Sequence, residues 1–403
     1  MCSTPRAAAA CAALLACLTV LAAGCGDDGA QPAPVTTAAA PPAPLRTLYV
    51  QAPLTGPAAD EGRAMVDAVR LVVGQAHGLA GDARLIVRTL DDGGVGTATD
   101  PQRCADNARR AVADPRALAV IGTYELACSK RALQVLRPAG LLLVSPLNAA
   151  GNLPGALRLA PTTADQGTAA ARLAEALGAT RVAIVSQRPG AATAFATALA
   201  SAAAGAGIDP VVDLDASATP IPVLMDELLA GRIQVVALAG SPGPWADELL
   251  RAIAALPKAQ RPSVVAPQAF GTLAFLDEAG AAADGVRVLS RFVPAEQLGG
   301  DARDFAGAYA DLHGQPPPVA LYAADAARAV LEAVAGTTAS RAAVARALRA
   351  LPPHDGLLGR WAATPSGGVT PRRLAVLLVA GGTFRTERVI SVAEPLPSSG
   401  GVK

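Results

Sequence analysis

Short apolar runs alternate with amphipathic stretches along most of this chain. Leu48 to Ala52 reads as a strand, and Met65, Val69, Val72, Val73 and Ala76 then recur at helical spacing, so the next stretch is a helix with one apolar face. The rhythm continues with a strand at Leu85 to Leu90, a helix at Pro101 to Ala113 opened by its proline, a strand at Ala117 to Ile121, a short helix at Lys130 to Leu136 and a strand at Leu141 to Ser145. It restarts with a helix at Asp165 to Leu177, a strand at Val182 to Ser186, a helix at Ala192 to Ala204, a strand at Val211 to Leu214 and a helix at Pro222 to Leu229. A strand at Val235 to Ala239, a helix at Trp245 to Leu256 and strands at Val264 to Ala266 and Val286 to Leu289 complete a second unit. Helical patterns then carry Phe305, Tyr309 and Leu312, Leu321 to Val334, and Arg341 to Leu351. Leu374 to Val389 reads as a hairpin around Gly381-Gly382.

Strands that are apolar throughout are buried on both faces, which argues for parallel sheets covered by helices on either side. The predicted fold class is α/β, with two doubly wound, Rossmann-like lobes and a cleft between them. A chain of 403 residues is long enough for two ordinary cores once an export segment is set aside.

That segment is visible at the N-terminus. Arg6 precedes an apolar run from Ala7 to Ala23, and the run ends at Leu21-Ala22-Ala23-Gly24-Cys25, small residues directly before a cysteine. The pattern predicts a lipoprotein signal over 1–24 with lipid attached to Cys25; an uncleaved signal anchor is the alternative. Residues 25–45 are mostly Asp, Gly, Ala, Pro and Thr and predict a flexible tether. Cys2, Cys11 and Cys17 leave with the signal, so Cys104 and Cys128 remain in the folded part. Outside the cytoplasm they suggest one disulfide, with a pair of buried free thiols as the alternative.

Charge excludes more than it selects. Lys and Arg total 34 against 33 for Asp and Glu, and aromatic residues are only 3% of the chain, so neither a basic field nor stacking platforms point to nucleic acid. His77, His313 and His354 have no Cys, Asp or Glu at metal-ligand spacing, and there is no Gly-x-Ser-x-Gly, no HExxH and no P-loop. No cofactor or metal is expected, and no nucleophile and base can be paired. Gly94-Val95-Gly96 lacks the third glycine of a dinucleotide loop, and Asp100-Pro101 starts a helix instead. Asp91-Asp92 reads as a turn at a strand end rather than as paired catalytic carboxylates.

Several stretches, taken in order, carry a family resemblance: Leu54-Thr55-Gly56-Pro57-Ala58-Ala59 with Gly62, Val120-Ile121-Gly122, Leu143-Val144-Ser145-Pro146, Arg158 followed by Asp165-Gln166-Gly167, and Phe305 to Tyr309 before Tyr322. From about Leu48 to Val389 the chain resembles the type I periplasmic binding proteins, specifically the branched-chain amino-acid (Leu/Ile/Val) binding family of ABC importers. The resemblance implies an N-terminal lobe of 46–163 plus 289–358, a second lobe of 164–288 plus 359–392, three hinge crossings near Pro161, Leu289 and Leu358, and a disordered tail at 393–403. It also implies a small-molecule ligand enclosed by lobe closure and permease and ATPase subunits as partners in trans. A receptor lipoprotein that senses its ligand without transport is the rival reading.

In the family, hydroxyl residues and backbone groups hold the ligand's α-carboxylate, aromatic residues wall it in, and an acid meets its α-ammonium. In this chain Leu126 and Ala149 stand at the hydroxyl positions, Ala191 and Ser241 at the tyrosine positions, and Gln268 at the acidic position. A neutral Gln268 cannot offset the desolvation of an ammonium as a carboxylate would, so the expected ligand is not a standard α-amino acid. The cleft is expected to hold Glu61, Tyr124, Glu125, Leu126, Leu147, Asn148, Ser241 and Gln268, which suits an apolar body with amide or hydroxyl groups; Glu61 or Glu125 remains able to meet a cation.

Overall fold

The computed structural model describes residues 43–149, 151, 153–186 and 193–393. The signal, Cys25, most of the tether, Ala191 and the tail beyond 393 lie outside the described residues.

The first part of the chain runs β1 (Leu45–Ala52), α1 (Ala59–Gln75), β2 (Leu79–Ala80), β3 (Ala83–Asp91), α2 (Pro101–Ala113), β4 (Ala117–Gly122), α3 (Leu126–Leu136), β5 (Leu142–Ser145) and β6 (Ala156–Arg158). These strands form one sheet in the order β2-β3-β1-β4-β5-β6. All its pairings are parallel except that of the short β2 with β3. Every residue of β4 and β5 is buried, as expected of strands covered by helices on both faces. Gly62, in the first turn of α1, allows the helix to follow β1 closely, since a Cβ there would lie 1.7 Å from the Pro53 carbonyl oxygen. The Asp100 side chain accepts from the Gln102 and Arg103 N–H groups and so caps α2, with Pro101 behind it.

The second part runs α4 (Thr163–Ala176), β7 (Arg181–Ser186), α5 (Thr193–Gly205), β8 (Asp209–Asp215), α6 (Ile221–Ala230), β9 (Val235–Ala239), α7 (Pro244–Ala255), β10 (Ser263–Pro267), α8 (Leu273–Ala279) and β11 (Arg287–Ser290). After α9 (Gly300–His313), α10 (Pro318–Ala335) and α11 (Arg341–Arg349) come the short strands β12 (His354–Gly356), β13 (Gly359–Ala363) and β14 (Val369–Thr370), then β15 (Arg372–Ala380) and β16 (Thr383–Val392). The second sheet has the order β16-β15-β11-β10-β9-β7-β8. Strands β8 to β11 pair in parallel through β7, while β15 and β16 add an antiparallel edge. Gly381 and Gly382 sit between them with φ of +59° and +70°, the left-handed pair that a two-residue hairpin turn requires.

Helices α9 to α11 return to the first sheet, where Phe305, Tyr309, Leu321 and Val330 share one core with Leu48, Val50 and Val69. Helix α10 is buried without interruption from Val319 to Ala327, and this stretch includes the fully buried Asp325. Its carboxylate accepts from the Leu357 N–H at 2.6 Å and from the Trp361 indole N–H at 2.8 Å. The buried His354 stands between Asp325 and Glu332; burial opposes its protonation, but these two carboxylates outweigh that and raise its pKa. His354 is therefore part of the packing of β12 and β13 on α10.

The chain passes between the two cores three times. Leu159 and Ala160 belong to the first core and Ala169 to the second; Leu289 belongs to the second and Val293 to the first; Val369 belongs to the first and Leu374 to the second. The third passage falls at Thr370–Arg372, later than the expected Leu358, because β12 to β14 stay with the first core through Leu357, Trp361 and Val369. The passages are bonded to one another. Gln166 donates its side-chain amide to the Leu289 carbonyl at 2.7 Å, and Arg158 N–H donates to the Gly367 carbonyl at 2.9 Å. Asp165 accepts from the Thr162 N–H and hydroxyl in a capping box, and Arg372 Nη2 donates to its other oxygen at 2.8 Å.

Cys104 on α2 and Cys128 on α3 form a disulfide, with Cα atoms 5.3 Å apart and both residues fully buried. Asp91 closes β3 as a turn residue: its carboxylate accepts from Leu54 N–H (2.8 Å), Gly93 N–H (2.9 Å) and the Thr55 hydroxyl (2.8 Å). Burial opposes its ionisation, but these donors and Arg103 hold it below the usual carboxylate range. Asp92, fully buried beside the disulfide, is pushed up to about 7 by burial and by the neighbouring Asp91.

Candidate ligand-binding site

A cavity of about 770 Å³ opens at the carboxyl ends of β1, β4 and β5, lined by Glu61, Tyr124, Glu125, Leu126, Leu147, Asn148 and Ala149 together with Ala127, Thr163, Arg291, Phe292, Pro317, Pro318 and Val319. In doubly wound sheets this is where ligands sit, because β1 lies between β3 and β4 and the connections diverge to opposite faces there. The local structure follows from the sequence. Helix α1 begins soon after β1 and brings Glu61 on its first turn to the opening. The loop after β4 carries Tyr124 and Glu125, and α3 begins at Leu126, four residues before the expected start.

Of the eight residues expected in the cleft, six meet around this cavity, and Ala149, anticipated at a hydroxyl position of the family site, joins them. Ser241 and Gln268 do not line it. Ser241 is exposed in the loop after β9, where its carbonyl accepts from the Trp245 indole N–H at 3.1 Å. Gln268 follows β10, and its side-chain oxygen accepts from the Arg291 N–H at 3.0 Å. Ala191 lies outside the described residues.

The charged groups converge on Tyr124. Burial raises its pKa, Glu61 and Glu125 raise it further, and Arg291 acts in the opposite sense. Glu125 already accepts from the Thr99 hydroxyl at 2.7 Å. Asn148 donates its side-chain amide to the Ser129 hydroxyl oxygen at 2.9 Å, which fixes it in the wall. Arg291 Nη1 donates to the Leu147 carbonyl at 3.0 Å, and the guanidinium carbon lies 5.6 Å from the centre of the Phe292 ring. Phe292 in turn meets Tyr322 edge to face at 5.3 Å, and the Tyr322 hydroxyl donates to the Arg291 carbonyl at 2.7 Å. Sequence reading missed Arg291, Phe292, Thr163 and the Pro317–Val319 segment. A signal for Arg291 was present: a cation directly after an apolar strand, at a point where the chain changes core.

The described residues group Asp92, Cys104 and Cys128 closely enough to hold a metal, but the two sulfurs are joined to each other and offer no thiolate. The cavity offers an apolar wall with a few polar groups, the arrangement of a site that holds a small solute. Two α/β cores joined by three passages, with such a cavity beside the passages, define a solute-binding protein of the hinged type.

The chain belongs to the periplasmic binding protein family, whose model matches residues 50–383. Its fold is that of the type I members, extracytoplasmic substrate-binding proteins of ABC transporters. Among solved structures it is similar to a Rhodospirillum rubrum protein provisionally assigned as a branched-chain amino acid ABC transporter, with 26% identity, 85% of this chain and 99% of that chain covered, and a TM-score of 0.70. It is also similar in fold to an ABC transporter substrate-binding protein from Desulfitobacterium hafniense in complex with Leu, with 19% identity, coverage of 85% and 99%, and a TM-score of 0.68. A third is the solute binding protein of an ABC transporter from Rhodopseudomonas palustris HaA2 in complex with p-hydroxybenzoic acid, with 16% identity, coverage of 87% and 98%, and a TM-score of 0.64. No match to a curated protein sequence was found. Among the described residues no helix is long and apolar enough to cross a membrane.

Proposed function

We propose that this protein, held at the outer face of the cell membrane by lipid on Cys25, captures a small solute other than a standard α-amino acid. It delivers that solute to the permease and ATPase of an ABC importer. The observation that carries the reading is the cavity of about 770 Å³, within the usual size range for small-molecule sites. Its wall includes Leu126 and Ala149 at the positions where the family carries hydroxyls for an α-carboxylate, and the aliphatic hydroxyl it does hold, that of Thr163, comes from the start of α4 instead.

Residues 43–403 contain the whole described fold as one compact unit, so a chain starting at Ala43 is suited to a thermal-shift screen against amino acids, amides, carboxylates, polyols and aromatic acids. The expected result is a raised melting temperature with non-amino-acid solutes alone. Strong stabilisation by leucine, isoleucine or valine would restore the family ligand, and no stabilisation by any class would sink the binding role. Loss of uptake of the same solute in a deletion strain separates import from sensing. The anchor has its own test: Cys25→Ser is expected to abolish acyl labelling and shift the protein from the membrane fraction to the soluble fraction, and unchanged fractionation would count against it.

A further inference from the structure

Arg291 lines the cavity with no carboxylate of the described residues in direct contact with it. Among the described residues no carboxylate forms an ion pair with it. Among the described residues its one side-chain hydrogen bond goes to a neutral carbonyl, that of Leu147. A guanidinium has five N–H donors in a planar fork, and here Nε and Nη2 donate to no described protein atom. The group is nonetheless half-buried, and burial pulls its pKa below the ordinary range, with Tyr322 and Tyr124 opposing that pull. Holding a cation in such surroundings without a direct ion pair is costly. Phe292 beneath it and the Tyr322 bond to its own carbonyl fix the residue's position, so the fork is held in place rather than free to swing into solvent.

We infer that Arg291 anchors the carboxylate of the solute, and that the solute is a monocarboxylic acid with an apolar or aromatic body. This assignment of ligand class rests on the reading of the cavity as the solute site. A guanidinium pairs with a carboxylate through two parallel N–H bonds, which sets orientation as well as affinity. The rest of the wall chooses among anions. Leu126, Leu147, Phe292 and Val319 favour an apolar body over a polyol, and Glu61 and Glu125 disfavour a multiply charged anion such as phosphate or a tricarboxylate. A hydroxyl on the body has the carboxylates of Glu61 and Glu125 in the same wall as acceptors, which makes 4-hydroxybenzoate a suitable probe alongside benzoate.

The test is calorimetric titration of the chain beginning at Ala43 with benzoate, 4-hydroxybenzoate, phenylacetate and octanoate, and with benzamide, benzyl alcohol and leucine as contrasts. At least one acid is expected to bind, with the amide and the alcohol weaker by about tenfold or more, the discrimination a charge-assisted pair supports. Arg291→Gln is expected to lower affinity for that acid by about tenfold or more, and to lower any affinity for benzyl alcohol by much less. Arg291→Lys, which keeps the charge but not the fork, is expected to lose less, and it serves as the readout if the glutamine variant fails to fold. Binding of a neutral solute or leucine with no acid bound, or acid binding indifferent to Arg291, would overturn the inference and leave the cavity's solute role standing. Binding of nothing, here and in the wider screen, would overturn both.

Discussion

Asp165→Ala is expected to lower the melting temperature by on the order of 10 °C, the largest effect of any single substitution considered. Asp165 and Arg372 are both buried; Nη2 of the arginine donates to one carboxylate oxygen at 2.8 Å, and Nε lies 2.6 Å from the other. Removing the acid takes the Asp165 carboxylate from the buried Arg372 guanidinium, which keeps its bond to the Val369 carbonyl, and also empties the capping box at the start of α4. Breaking a buried ion pair by removing one partner costs roughly 3–5 kcal/mol, and each kcal/mol shifts the midpoint of a cooperative unit of about 150–250 residues, the size of one of the two parts of this fold, by about 2–4 °C. Differential scanning fluorimetry of the chain starting at Ala43 measures it. Adding Arg372→Met should recover part of the loss, because part of the cost lies in keeping a guanidinium buried with one carboxylate fewer and not in the absent bond alone. A loss below about 1 °C for the single variant, or a double variant worse than the sum of the two single losses, would show that the pair does not hold the passages together.

The second large effect is expected at the disulfide. Cys104 and Cys128 are 24 positions apart in sequence, and closing a loop of that length stabilises the native state by roughly 3–4 kcal/mol in the chain-entropy model. Urea denaturation with and without a strong reductant should show the midpoint of the unmodified chain falling when the bond is cleaved. A variant with Cys104→Ala and Cys128→Ala should melt early and be indifferent to reductant. Equal midpoints for the unmodified chain under both conditions, after full reduction has been verified by thiol counting, would show that the cross-link adds nothing to stability.

What could be read from the sequence depended on whether local pattern or distant partners set an element. The apolar strands β4 and β9, the proline-led helix α2 and the Gly381-Gly382 turn announce themselves, because a buried parallel strand, a first-turn proline and a left-handed glycine pair each have a local physical cause. Strands β2, β6, β12 and β14, two or three residues each, do not; they exist only because a neighbouring edge accepts them. Asp325 was hidden for the opposite reason. It interrupts an apolar helical run as if it were a surface residue, yet it is fully buried because Leu357 and Trp361, thirty-odd residues later, bring it donors. The cleft divided in the same way. Glu61, Tyr124, Leu126 and Asn148 follow strands of the first sheet and could be placed from the order of elements, whereas Arg291 belongs to a passage between cores, which no periodicity marks.

The passages have one more consequence. The bonds that tie them, Gln166 to the Leu289 carbonyl and Arg372 to Asp165, lie between the segments about which the two cores would turn. Atoms on an axis move little when the bodies on either side rotate, so these bonds contribute nearly the same energy to an open and a closed arrangement. They cannot favour either. The balance between the two is then left to whatever occupies the cavity, and a solute shifts that balance only by the difference in its affinity for the two arrangements. In such a molecule the bonds of the joint and the contacts with the solute are made by different side chains, even though Thr163 and Arg291 bring the cavity's wall onto the passages themselves.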